Sequence, residues 1–220
     1  GATDTINLFT EPEKWPYARG KIRVFKWYGG NIQNSCSICG QNTLDNLASV
    51  NAFSKLKEWK IEQAIEVGVV KPHLCTADKT APISINYIKS ILDRGGAVRY
   101  ISMDEPYYGG LLTVGGQKCG YTMEQSAVQT VDFIKRVQAV YPSVQIGDIE
   151  PYPALSLDKL KQWIIKLEEL GAKPAFFEID ANHYHPKYNT KDVRDLHTFL
   201  KQHGVPFSFI FHTEKKASDE

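Results

Sequence analysis

The chain has 220 residues, 42% of them hydrophobic, enough to bury one sizeable core. Lys and Arg total 26 against 25 Asp and Glu, a formal net charge of +1 with no block of five like charges, which argues against a nucleic-acid or anionic-membrane surface. No apolar run approaches the roughly 18 residues of a membrane-spanning helix, and the opening GATDTINLF lacks the order of a signal peptide, so a soluble chain is expected.

Apolar runs rich in Val, Ile and Phe recur along the chain and predict buried strands. The first two are TINLF (5–9) and KIRVFKWY (21–28). A helical spacing follows at Leu44, Leu47, Val50 and Leu56, then a strand AIEVGVV (64–70). Ile85, Ile88 and Leu92 predict the next helix and AVRYISM (97–103) the next strand. Val128, Val131, Ile134 and Val137 precede VQIGDI (144–149); Leu157, Leu160, Ile164 and Leu167 precede PAFFEID (174–180). Val193, Leu196 and Leu200 lead to PFSFIFH (206–212). Several helices run into glycine, as in LDRGG, EELGA and KQHGV, where a left-handed residue closes the helix. Alternating strand and helix implies parallel strands joined by right-handed crossovers.

Carboxylates, histidines and aromatics collect just after strands, at MDEPYYGG, GDIEPYP, EIDANHYH and FHTEKK, whereas the turns from helix to strand are short and plain. In a (β/α) barrel the first kind of loop lies on the C-terminal face, where sites are built. A doubly wound sheet usually carries a glycine-rich phosphate loop after an early strand, and YGGN is too little for one. The expectation is therefore one domain over residues 1–220, an α/β fold of parallel TIM-barrel type, with seven countable strands and either an eighth beyond a truncated end or a barrel completed in some other way. No cofactor is expected, and the protein is expected to be a monomer.

With TINLF counted first, YISMDEP ends the fourth strand and PFSFIFHTE the seventh. That pattern resembles the clan A glycoside hydrolases, (β/α)8 enzymes with an acid/base glutamate in an Asn-Glu-Pro motif after strand four and a nucleophilic glutamate after strand seven. The resemblance implies Glu105 as acid/base and Glu214 as nucleophile, with Asp104 where the clan has Asn. NHYH, containing His183, Tyr184 and His185, is similar to the polar aromatic pairs that line the sugar site of the clan. It implies a carbohydrate substrate, and the even number of loop cysteines, which suggests disulfides, gives the expectation of an exported, extracytoplasmic protein.

The residue types suit that chemistry. A retaining glycosidase needs two carboxyl groups about 5 Å apart, one protonated and one ionised; inversion needs roughly 6.5 to 9.5 Å. Pro106 is expected to push Glu105 toward an extended conformation and so to aim its carboxylate. Asp148 and Glu150 are two apart and share a strand face, as do Glu178 and Asp180, the latter pair expected to point into the barrel unless Arg23, Lys26 or tyrosines hold them as buried groups. Trp27, Tyr107, Tyr108, Tyr152 and Tyr184 follow strands and could stack on sugar rings. All of these, with His183, His185 and His212, are candidate substrate-binding residues. Two other functions stay open: a glycan-binding barrel without catalysis, and a metal-dependent hydrolase in which His183, His185 and His212 join Asp148, Glu150 and Asp180 around zinc or manganese. Cys36 and Cys39 form a CxxC that lacks the second pair of a zinc site; a local disulfide there, and a bridge from Cys75 to Cys119, are expected.

Overall fold

The computed structural model describes residues 5–211. In chain order the elements are α1 (Asn7–Thr10), α2 (Pro16–Lys21), β1 (Val24–Tyr28), α3 (Leu44–Ser49), α4 (Ala52–Glu58), β2 (Glu62–Gly68), α5 (Ala77–Leu92), β3 (Tyr100–Asp104), α6 (Pro106–Leu111), β4 (Thr113–Val114), β5 (Gln117–Lys118), α7 (Met123–Val140), β6 (Gln145–Tyr152), α8 (Leu157–Glu169), β7 (Phe177–Ala181), α9 (Thr190–Gln202) and β8 (Phe207–Ile210), with 3-10 turns at Pro12–Lys14 and Gly29–Ile32. β1, β2, β3, β6, β7 and β8 form one sheet in that order, and β4 and β5 a small antiparallel hairpin. Pairing is parallel from β1 to β2, β6 to β7 and β7 to β8. This is the α/β fold of parallel (β/α) TIM type that the alternation predicts, with six main strands among the described residues rather than seven.

The missing strand is TINLF, which is helical from Asn7 and buries Leu8 and Phe9. A short apolar run fits either conformation, and Pro12 two residues on ends the segment before it could extend. The strand that ends at Asp104 is thus the third of the main sheet and not the fourth, and the one at Phe207–Ile210 the sixth. The helix expected across 44–56 divides into α3 and α4 at Asn51, whose φ of 57° is left-handed. The later helices fall where the spacing puts them. α8 begins at Ser156, whose hydroxyl accepts from the Lys159 amide, and buries Leu160, Trp163, Ile164 and Leu167; α9 begins at Asn189, whose side chain accepts from the Lys191 amide. Gly171 and Gly204 close them at φ of 81° and 66°.

The described residues form two compact units: 5–67, 81–102 and 137–145 in the first, 68–80, 103–136 and 146–211 in the second. The first is centred on aromatics. Trp27 is 2% exposed, stacks on Phe9 and packs against Phe25 and Phe53; its indole donates to Gln63, whose amide donates in turn to the Phe53 carbonyl. Trp27 is therefore a core residue and not a sugar platform: it pairs in register with Ile65, on the strand face that packs against α4. Lys26, expected as a partner of Glu178 or Asp180, pairs with Glu66 at 3.0 Å, and Arg23 bonds to the Gly20 carbonyl. The local bridge Cys36–Cys39 is formed.

The second unit holds the other bridge, Cys75–Cys119, which ties the loop after β2 to the segment after the β4–β5 hairpin. Its sheet register sorts the carboxylates. Asp148, Glu150 and Tyr152 share a face with Phe177, Ile179 and Ala181, all buried, whereas Glu178 and Asp180 lie in register with Ile149 and Pro151 on the other face.

Candidate active site

The motif MDEPYYGG marks the turn from β3 into α6. Glu105 is the N-cap residue of that helix but its side chain does not cap the helix amides, and its backbone is left-handed, φ 47° and ψ 54°. The extended conformation expected before proline is thus overturned. Two hydrogen bonds override the local preference: the Glu105 amide donates to the Ile149 carbonyl at 3.0 Å, and the Gly109 amide donates to the Glu105 carbonyl at 2.7 Å. A non-glycine residue in this region is strained by about 1 to 3 kcal/mol, and such residues cluster at functional sites.

The two glycines of the motif have steric reasons. A Cβ at Gly109 would stand 2.1 Å from the Val70 carbonyl oxygen and 3.4 Å from Lys71 Cδ, and one at Gly110 would stand 2.1 Å from Ser126 Oγ. A Cβ at Gly68 would meet Lys71 Cγ at 3.0 Å. The lysine stem thus runs close to two glycines, and its ammonium comes 2.8 Å from Asp104 Oδ2 and 4.0 Å from Glu105 Oε2. Lys71 is the site residue that sequence reasoning missed; its only signal was its place just after a strand in VVKPHLC. Asp104 is about one-third exposed and Glu105 less, so both reach solvent.

Glu150 sits beneath this turn. It is fully buried, and its two oxygens accept from the amides of Tyr107 at 2.6 Å and Tyr108 at 3.2 Å. Asp148, on the same face, accepts from the Trp163 indole at 2.7 Å, and Trp163 stacks on Tyr107 with ring centres 5.2 Å apart. Burial pushes both carboxyls well above the usual carboxylate range; the neighbouring Glu178 charge adds to this for Asp148, and the Asp148 and Glu105 charges for Glu150. Asp148 Oδ1 has no hydrogen-bond partner. The two amide donors on Glu150 oppose this rise without cancelling it. Asp148, Glu150 and Tyr107 were expected to touch substrate; all three lie in the helix-facing core instead.

Tyr152 is likewise buried. Its hydroxyl donates to Asp192 at 2.7 Å and accepts from the Asn189 amide, and burial and the bond to Asp192 raise it to about 12. It anchors the loop after β7 and cannot stack on a ligand. That loop carries His183 and the exposed Tyr184, rings 3.9 Å apart, and the exposed His185, whose Nδ1 accepts from the Lys187 amide. Tyr108 is half-buried. Glu178 and Asp180 are partly exposed on β7. His212 and Glu214 lie outside the described residues. Among those described, no three His, Cys, Asp or Glu side chains converge as a metal site, and the carboxylates proposed for one fall on both faces of the sheet.

No protein-family model and no curated protein matches the chain. Solved structures do. The chain is similar to a fungal β-1,4-galactanase (TM-score 0.60, 13% identity, 90% of this chain and 64% of that one) and to the GH53 catalytic domain of Ignisphaera aggregans (TM-score 0.60, 15% identity, 98% and 63%). It is also similar to QR15, an aldolase (TM-score 0.52, 11% identity, 90% of this chain and 72% of that one). The likeness is one of fold: the clan A pattern in the sequence corresponds to a glycosidase-like barrel architecture. The chain spans less than two thirds of the length of the first two.

Proposed function

We propose that residues 1–220 act as one barrel-type catalytic domain, a glycoside hydrolase that cleaves O-glycosidic bonds of a poly- or oligosaccharide by retaining double displacement. Glu105 is the acid/base and Glu214 the nucleophile. The observation that carries this reading is Glu105 itself: a strained carboxylic residue at the C-terminal end of β3 whose carboxyl reaches solvent. Asp104, with Lys71, offers polar contacts to sugar hydroxyls, and Tyr108, Tyr184, His183, His185, Glu178 and Asp180 are the further candidate contacts. The two disulfides suit an oxidising, extracytoplasmic compartment; no described helix is long and apolar enough to cross a membrane.

The test is Glu105→Gln. Removing a positioned general acid slows turnover by about 10² to 10⁴, so hydrolysis of natural glycans should fall by that factor, while substrates whose leaving group needs no proton lose less. Undiminished hydrolysis of a natural glycan would remove Glu105 from the mechanism. A second reading, glycan binding without hydrolysis, is favoured by Lys71, since an adjacent ammonium stabilises a carboxylate rather than a proton-donating carboxyl. Saturable binding of oligosaccharides by a parent protein that releases no reducing sugar would select it.

A further inference from the structure

The first-turn amides of a helix have no partner within it and are usually capped by the side chain of the residue before it. In α6 that residue is Glu105, which makes no such bond, and Pro106 has no amide to cap. The next two amides, of Tyr107 and Tyr108, are instead taken by the two oxygens of Glu150, a residue more than forty positions downstream and fully buried on β6. Its neighbour Ile149 accepts the Glu105 amide at 3.0 Å. Two consecutive residues of β6 therefore grip the chain on both sides of residue 105. From the far side, Gly109 packs so closely on the Val70 carbonyl that α6 has no room to shift toward β2.

A left-handed glutamate before proline persists only where its surroundings over-determine it, and the direction of its side chain follows from its φ and ψ. We propose that Glu150 is a positioning residue: its carboxyl clamps the first turn of α6 and so holds Glu105 in the left-handed conformation that brings its carboxyl to Lys71 and the substrate. Glu150 itself is out of reach of any ligand. The inference rests on the reading of Glu105 as the acid/base, and it makes a structural claim that can be examined apart from activity.

The variant is Glu150→Gln, which has nearly the same shape but sets an NH2 group against an amide that needs an acceptor. Amide hydrogen exchange at Tyr107, Tyr108 and Gly109 should accelerate at least about 10-fold while exchange in α8 and α9 stays as in the parent. On a natural glycan kcat should fall about 10- to 100-fold with KM little changed, as for a misplaced catalytic group. In a Glu105→Gln background, Glu150→Gln should produce no further loss. Unchanged exchange at the three amides, or an equal loss of kcat in that background, overturns the clamp. If Glu150→Gln does not fold, the parent decides: the Tyr107 and Tyr108 amides should exchange as slowly as those of β6, and fast exchange there overturns the proposal. If Glu105→Gln leaves activity intact, the functional reading fails while the exchange experiment still judges the clamp.

Discussion

β6 and β7 carry four carboxylates on neighbouring parallel strands, and one step of register separates their fates. Asp148 and Glu150 share the face of Phe177 and Ile179, where each is stripped of water and held by specific donors: an indole for Asp148, two backbone amides for Glu150. Glu178 and Asp180, in register with Ile149 and Pro151, remain partly exposed on the opposite face. The side chains are chemically alike, yet the first pair is built into the packing and the second is open to solvent. Strand alternation, more than residue type, decides which acidic groups can meet a substrate and which hold the backbone that does.

That contrast can be broken most directly by truncation. Glu150→Ala leaves one buried and one part-buried amide without this acceptor, each such loss being worth about 1 to 3 kcal/mol, so it should lower the unfolding free energy by roughly 2 to 6 kcal/mol in denaturant titrations. Glu178→Ala, on the open face, should be clearly milder. Equal losses at the two positions would mean that the faces do not differ as described.

Acid sharpens the same contrast. Asp148 and Glu150 hold their protons to higher pH in the folded protein than in the unfolded chain, where carboxyls titrate near pH 4. Between that value and their raised folded values the native state binds more protons, so stability falls as pH rises, by about 1.4 kcal/mol per pH unit for each such proton. The stabilisation is complete below about pH 4 and is lost as pH climbs through the folded values. Acidification from neutral toward pH 5 should therefore raise the melting temperature, and Asp148→Asn should flatten that dependence. A melting temperature that falls over the same interval would contradict the buried pair.

The sequence carried the architecture further than it carried the site. Long amphipathic segments such as Leu157–Glu169 and Thr190–Gln202 are legible because their spacing repeats over several turns and capping residues mark where they begin. TINLF misled because five residues hold too little periodicity to separate strand from helix. That Asp148 and Glu150 share a face could be read from their spacing; which face could not, since both sides of a parallel sheet can be apolar. The conformation of Glu105 was illegible for another reason: the local rule for residues before proline is sound, and tertiary hydrogen bonds from β6 and α6 outweigh it. Lys71 escaped notice because its role depends on where the chain folds it and on the glycines beside its stem.

Under the proposed function, the left-handed backbone at residue 105 sets stability and activity against each other at a single position. Asparagine tolerates that conformation better than glutamate does, so Glu105→Asn should relieve about 1 kcal/mol of strain and raise the melting temperature by about 2 to 4 °C for a chain of this size, while removing the carboxyl proposed as the acid/base; a lower melting temperature would count against the strain. Selection for thermal robustness alone would drift away from glutamate here. Its presence in a place that disfavours it is what one expects of a residue retained for what it does rather than for how it packs.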